Sequence, residues 1–230
     1  MASHRSAEEV EQQHLKVFGP ALGPTYHRLY NEVAWLHAKW LEFRKLFAKS
    51  EGRIELLNGT AAFFFRVVQD VLWEDVLLHI ARLTDPPKQG RFENLTLLRL
   101  PGEVPDSALA EKLGQLTEVA CANSGFARAW RDQHIAHRDL HIALGTGART
   151  LPGASRQNVE DALASLAAVV NALHHHYTGG DVAFRHFIAH GDGDDLVYWL
   201  QFAQRSEERQ RQRLEQGRSL PEDFEALPEV

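Results

Sequence analysis

Nine residues near the middle of the chain, Arg131 to Asp139 (RDQHIAHRD), hold two arginines, two histidines and two aspartates. That set of side chains can cut RNA without a metal. A histidine can take the proton from a ribose 2′-hydroxyl, because its ordinary pKa lies near neutrality. An arginine can stabilise charge developing on the phosphate through its fixed fork of donors. A carboxylate beside them can orient the imidazole or the guanidinium. The candidate roles are His137 as base, Arg131 as phosphate clamp and Asp132 in support, with His134, Arg138 and Asp139 as auxiliary or substrate-binding groups.

Spacing alone does not select this segment. Three Arg-x4–6-His pairs occur (Arg128/His134, Arg131/His137, Arg185/His190), about three being what chance supplies at this composition. Only Arg131 is followed directly by an aspartate, Asp132, and only His137 sits in an AHRDL setting. On a straight α-helix Arg131 and His137 would lie ~120° apart around the axis. Either the helix ends between them or a second protomer completes the site. A solvated helix end, with these side chains meeting C-terminal carbonyls, is the plain structural alternative. A zinc stripe at His134, His137 and His141 is another, but one helix rarely supplies every ligand and no HExxH pattern occurs, so no metal is expected.

The elements that must position these residues read as helical. Tyr26, Leu29, Tyr30, Val33, Leu36, Trp40, Phe43 and Phe47 form one stripe, on a helix ~35 Å long from Thr25 to Ala48. Leu57, Ala61, Phe64, Val68, Leu72, Val76, Ile80 and Leu83 form a second, stopped by Asp85-Pro86-Pro87. Arg82, Thr84 and Asp85 at its end either face the cleft or simply cap the helix, and the cap is the favoured reading because Asp-Pro is common punctuation. Residues 86–105 read as a long loop with one helical turn at Leu95–Leu98. Asp106 is expected to cap a helix through Leu109, Leu113, Leu116 and Val119, with a break at Asn123-Ser124-Gly125 and helicity from Phe126 to about His137. Ser155 is expected to cap a helix ended by Gly179-Gly180, and Asp194 to cap a last one through Leu196, Val197, Leu200 and Ala203. Beyond Gln204 the pattern is polar on all sides, followed by a mobile acidic tail. Trp35, Trp40, Phe63–Phe65 and Trp73 read as packing, Cys121 as a small buried hydrophobe, and His174-His175-His176 as an exposed helix end. The domain reading is one helical domain over 1–204 and a polar helical extension with the tail over 205–230.

The bulk properties narrow the partners. With a net charge of −6 and a pI near 6.1, wholesale electrostatic binding to nucleic acid is not expected, and DNA is not an expected partner. The chain has a single cysteine, so no intrachain disulfide can form. The N-terminus MASHRSAEEVEQQ has no apolar core of a signal peptide, and no run reaches the length of a membrane helix. A cytoplasmic location with no membrane contact is the expectation.

Several segments together resemble the abortive-infection (AbiU-type) proteins of the HEPN superfamily. These are Leu46-Phe47 with RIELLN, the Phe63–Phe65 run, HIARLTDP at 79–86, NLTL at 94–97, WRDQHIAHRDL at 130–140 and DDLVYWL near Asp194. They occur in order over most of residues 45–200. The resemblance implies an all-α HEPN-like bundle with a long antiparallel helix pair and a polar C-terminal helix. It also implies a homodimer whose Arg/His pairs face one cleft. It further implies a metal- and cofactor-independent endoribonuclease acting as a toxin or phage-defence effector, with RNA as substrate and an antitoxin or other protein as partner. One departure stands out: Asp132 occupies a position that is often asparagine in this subgroup. Its charge opposes phosphate binding, and it favours the alternative of a non-catalytic module that holds nucleotide, RNA or protein.

Overall fold

The computed structural model describes residues 6–136, 140–145, 151–186 and 191–224, and they are overwhelmingly helical. Helix α1 (Ala7–Phe47) extends well N-terminal of the stripe that predicted it. It is two segments joined at Gly19, whose φ of 76° lies outside the helical region, next to Pro20, which has no N–H to donate. The first segment folds back so closely that a Cβ on Gly23 would sit 2.9 Å from the Leu15 Cα. Helix α2 (Glu51–Leu83) leaves helical geometry at Ala61 (φ −157°, ψ 69°). That break resets the phase of the apolar stripe, so Phe65 is buried where an unbroken helix predicts Phe64.

The region expected to be one long loop is more ordered. A small antiparallel hairpin, β1 (Lys88–Gln89) and β2 (Phe92–Glu93), turns at Gly90, whose φ is 61°. A 3-10 turn (Leu97–Arg99) and the short α3 (Leu100–Glu103) follow. Buried Thr96 donates its hydroxyl to the Leu83 carbonyl at 2.9 Å, tying this segment to the end of α2. Next come α4 (Ser107–Asn123), α5 (Gly125–Trp130), a π-helical turn (Arg131–Ile135), α6 (Leu140–Leu144), α7 (Arg156–Thr178) and α8 (Gly193–Glu215). Asp106 caps α4, and Ser155 caps α7, which ends at Gly179 with φ of 72°. The cap of α8 is Asp192, not Asp194. A final 3-10 turn (Pro221–Phe224) places Asp223 against α8, where it pairs with Arg213.

The chain divides into two compact units, residues 1–41 with 70–187, and 42–69 with 188–230. In the first, α1 and α2 run antiparallel: Lys39 pairs with Asp75, Glu32 faces His79, and the Trp40 and Trp73 rings lie 6.1 Å apart. α4 packs on α7 through the buried Leu109, Leu113 and Ala120 and Val159, Leu163, Leu166 and Val170. Trp40 donates to Glu160 of α7 at 2.7 Å, and the Tyr26 hydroxyl meets His174 Nδ1 at 2.6 Å. In the second unit, Leu46, Leu56, Leu57, Phe65 and Val197 share a core. Asp192 accepts from Lys45 at 2.6 Å, and Arg53 and Lys49 both pair with Asp194.

Some residues depart from their expected setting. Trp35, Phe63 and Phe64 are exposed, whereas Trp40 and Phe65 are buried. Trp35 lies one position off the buried line of Val33, Leu36 and Trp40. His174 is not part of an exposed helix end, because its ring turns inward onto Tyr26. Cys121 is only half-buried. Among the described residues, no helix is long and apolar enough to cross a membrane.

Candidate active site at the Arg131 turn

The site is built where α2 ends. Thr84 is buried, and its hydroxyl donates back to the carbonyls of Ile80 and Ala81. The same oxygen accepts from Arg128 Nη1 at 2.8 Å, while Arg128 Nη2 donates to the Cys121 carbonyl at 2.6 Å. Arg128, the arginine of the competing Arg128/His134 pair, therefore has both terminal nitrogens committed to internal partners. It fastens α5 to the end of α2.

One turn further on, Arg131 Nη1 donates to Asp85 Oδ1 at 2.5 Å and its Nε to Asp132 Oδ1 at 2.7 Å. The Arg131 side chain is only 21% exposed, and Asp85 is similarly sheltered. The hydrogen bonds that Arg131 donates to Asp132 and to Asp85 hold the guanidinium charge more firmly than usual against the opposing effect of burial. A solvated helix end has no such partner 46 residues away in sequence. Asp85 thus does more than terminate α2. A carboxylate at a helix C-terminus faces the negative end of the dipole and calls for a cation nearby. That was the one signal in the sequence that could have pointed to it.

The backbone at Arg131 is unusual as well. Ala136 N–H donates to the Arg131 carbonyl at 2.8 Å, five residues back, so Arg131–Ile135 form a π turn rather than a continuation of α5. Such single turns often mark functional sites. The ~120° separation expected for a straight helix does not apply across it. His134 sits on this turn, edge-on to Trp130 at 5.4 Å, with Nε2 3.8 Å from the Glu74 carboxylate. Trp130 in turn donates to the Pro152 carbonyl at 2.9 Å. Together these bring Arg131, Asp132 and His134 onto one turn facing acids of α2 and its end. His137, Arg138 and Asp139 lie outside the described residues.

Beside Asp85 a recess of about 270 Å³ is lined by Glu32, Arg82, Leu83, Asp85, Asn94 and Leu95. Arg82 is half-exposed there, 3.8 Å from the Glu32 carboxylate. Under it His79 is buried, its Nε2 2.7 Å from Glu32 Oε2 but out of line for a hydrogen bond. Burial, followed by the nearby Lys39 charge, pushes the His79 imidazole well below its ordinary range. Sequence reasoning did not single out Glu32, Glu74 or His79, because each belongs to a helix far away along the chain. Among the described residues no group of three or more histidine, cysteine, aspartate or glutamate side chains could hold a metal. Of the candidate zinc stripe, His137 and the His141 side chain lie outside the described residues.

Comparison with known proteins adds one finding. The family model HEPN_AbiU2, described as AbiU2, matches residues 20–197. No curated protein and no solved structure matches the chain.

Proposed function

Because the chain belongs to the AbiU2 family of HEPN proteins, an abortive-infection family, we propose that it is a metal-independent endoribonuclease acting as a toxin or phage-defence effector. The observation that carries this reading is the Arg131 guanidinium, sheltered and fixed by Asp85 from just past the end of α2, on a turn that departs from α geometry. A cation held in one orientation is what phosphate clamping requires.

In this mechanism His137 takes the proton of the ribose 2′-hydroxyl, and O2′ attacks the adjacent phosphorus. The bond from phosphorus to O5′ breaks, and the leaving oxygen takes up a proton. The products are a 2′,3′-cyclic phosphate and a 5′-hydroxyl end, and no water or metal is consumed. Arg131 stabilises the equatorial charge, with His134, Arg138 and Asp139 as auxiliary contacts. A second protomer completes the cleft.

A second reading has its own support. Two carboxylates already occupy Arg131, which suits a non-catalytic module holding nucleotide, RNA or a protein partner such as an antitoxin. Incubating the purified chain with RNA in excess EDTA and analysing the ends separates the two. New cyclic-phosphate and 5′-hydroxyl ends support the enzyme; intact RNA, or cleavage abolished by EDTA, contradicts it.

A further inference from the structure

The outward face of α8 belongs neither to the core nor to the Arg131 turn. Val197 is buried and Leu200 packs against the same core, which fixes the inward side of the helix. On the other side Tyr198, Trp199 and Phe202 are 60%, 62% and 53% exposed. Their rings form one group, with centroids 5.4 Å apart for Tyr198/Trp199 and 6.0 Å for Trp199/Phe202. Three large aromatic rings held out to solvent on a fixed helix are not explained by folding.

The face continues with charge. At about 100° per residue, Tyr198, Phe202, Arg205 and Arg209 fall on one line ~16 Å long. Both arginines are exposed, and neither pairs with a carboxylate among the described residues. Four of the five acids of α8 are engaged or turned away. Asp194 is held by Lys49 and Arg53. Asp195 accepts from the backbone N–H groups of Gly191 and Asp192. Glu208 holds Arg211 and Gln212. Glu207 lies roughly 160° around the axis from Arg209. The overall negative charge of the chain is therefore not expressed along this line.

We propose that this face of α8 binds single-stranded RNA, with Tyr198, Trp199 and Phe202 stacking on bases and Arg205 and Arg209 meeting phosphates. It rests on the reading that RNA is the substrate. Stacking rings followed by a track of positive charge are the two components of sequence-tolerant single-strand binding. A second copy of the chain fits less well. The three rings expose on the order of 400 Å², about half of the ~800 Å² that each partner of a stable interface covers. Such a partner would also have to desolvate two arginines that pair with no carboxylate among the described residues.

The test uses the full chain and a fluorescent 2′-O-methyl oligouridine, which cannot be cleaved through its 2′-position, read by anisotropy across a salt series. Wild type is expected to bind. Trp199→Ala with Phe202→Ala should weaken binding by roughly tenfold or more. Arg205→Gln with Arg209→Gln should flatten the slope of log affinity against log salt by about 1.4, at ~0.7 per phosphate contact. Arg205→Lys with Arg209→Lys should keep that slope. All these side chains are exposed, so thermal unfolding should be unchanged. Absence of wild-type binding overturns the proposal, as do aromatic variants that bind like wild type. So does a loss of self-association in the aromatic variants with oligonucleotide binding intact, which would make the face a contact between copies. If wild type cleaves natural RNA and the α8 variants bind unchanged, this inference alone falls. If the α8 variants lose binding and wild type leaves RNA intact, the cleavage reading alone falls.

Discussion

Arg131 shares its charge between two carboxylates of different character. Asp85 is sheltered and comes from the end of another helix, whereas Asp132 is adjacent in sequence and well exposed. The sheltered one is suited to orienting the guanidinium, and the exposed one is free to leave when a phosphate arrives. Asp85→Ala should therefore lower the cleavage rate by about 10–100-fold with a smaller change in KM, as expected for lost positioning, and Asp85→Asn should recover part of it. Asp132→Asn should leave RNA affinity unchanged or improved, because it removes a competing charge and keeps a hydrogen-bonding side chain. Steady-state kinetics on the three variants checks both statements. A drop in affinity for Asp132→Asn with Asp85→Ala silent would reverse the two roles. At this scale the motif itself was legible, because Arg131, Asp132 and His134 are close in sequence. The Asp85 partner was not, since ion pairing across 46 positions leaves no periodicity to read.

The elements were legible wherever one local rule decided them. Asp106, Ser155 and Gly179 terminate helices as their chemistry predicts. The misreadings arose where tertiary contacts chose between near-equal local options. Asp192 and Asp194 are both able to cap α8. Asp192 has the role because Lys45 binds its carboxylate, Glu42 accepts from Gly193 N–H, and Asp194 is drawn to Arg53. Asp192→Ala should accordingly lower the stability of the chain by about 1–2 kcal/mol, the usual cost of a lost cap. Asp192→Asn, which retains a capping oxygen, should cost less. Chemical denaturation measures both, and equal stability of Asp192→Ala and wild type would contradict the assignment. The break at Ala61 shows the same limit, since nothing local marks it, and the aromatic run was placed one residue out of phase as a result.

On the scale of the whole molecule the all-α bundle was legible from helical periodicity, and family membership from motifs spread along the chain. Composition could not show how many histidines lie inside. His14 and His37 are buried, and burial lowers both to about 4 from an ordinary value of 6.5, with the neighbouring His27 adding to the effect at His14. Between those values the unfolded chain takes up protons that the folded chain refuses. The stability they permit is complete above about pH 6.5 and falls as pH drops toward 4, with a slope approaching one proton per histidine. Denaturation midpoints at pH 7.5 and pH 5 should differ in that direction; equal midpoints would contradict it. Self-association is the second expectation at this scale. Sedimentation at tens of micromolar should give a homodimer burying on the order of 1,600 Å², with the helix and turn around 126–137 at its interface, and a monomer would remove the two-protomer cleft. The most direct measurement of all is the RNA cleavage rate of wild type against His137→Ala in EDTA. A fall of roughly 10²–10⁴ with unfolding unchanged is the predicted result. Cleavage that persists at the wild-type rate in His137→Ala would contradict an Arg131/His137 active site.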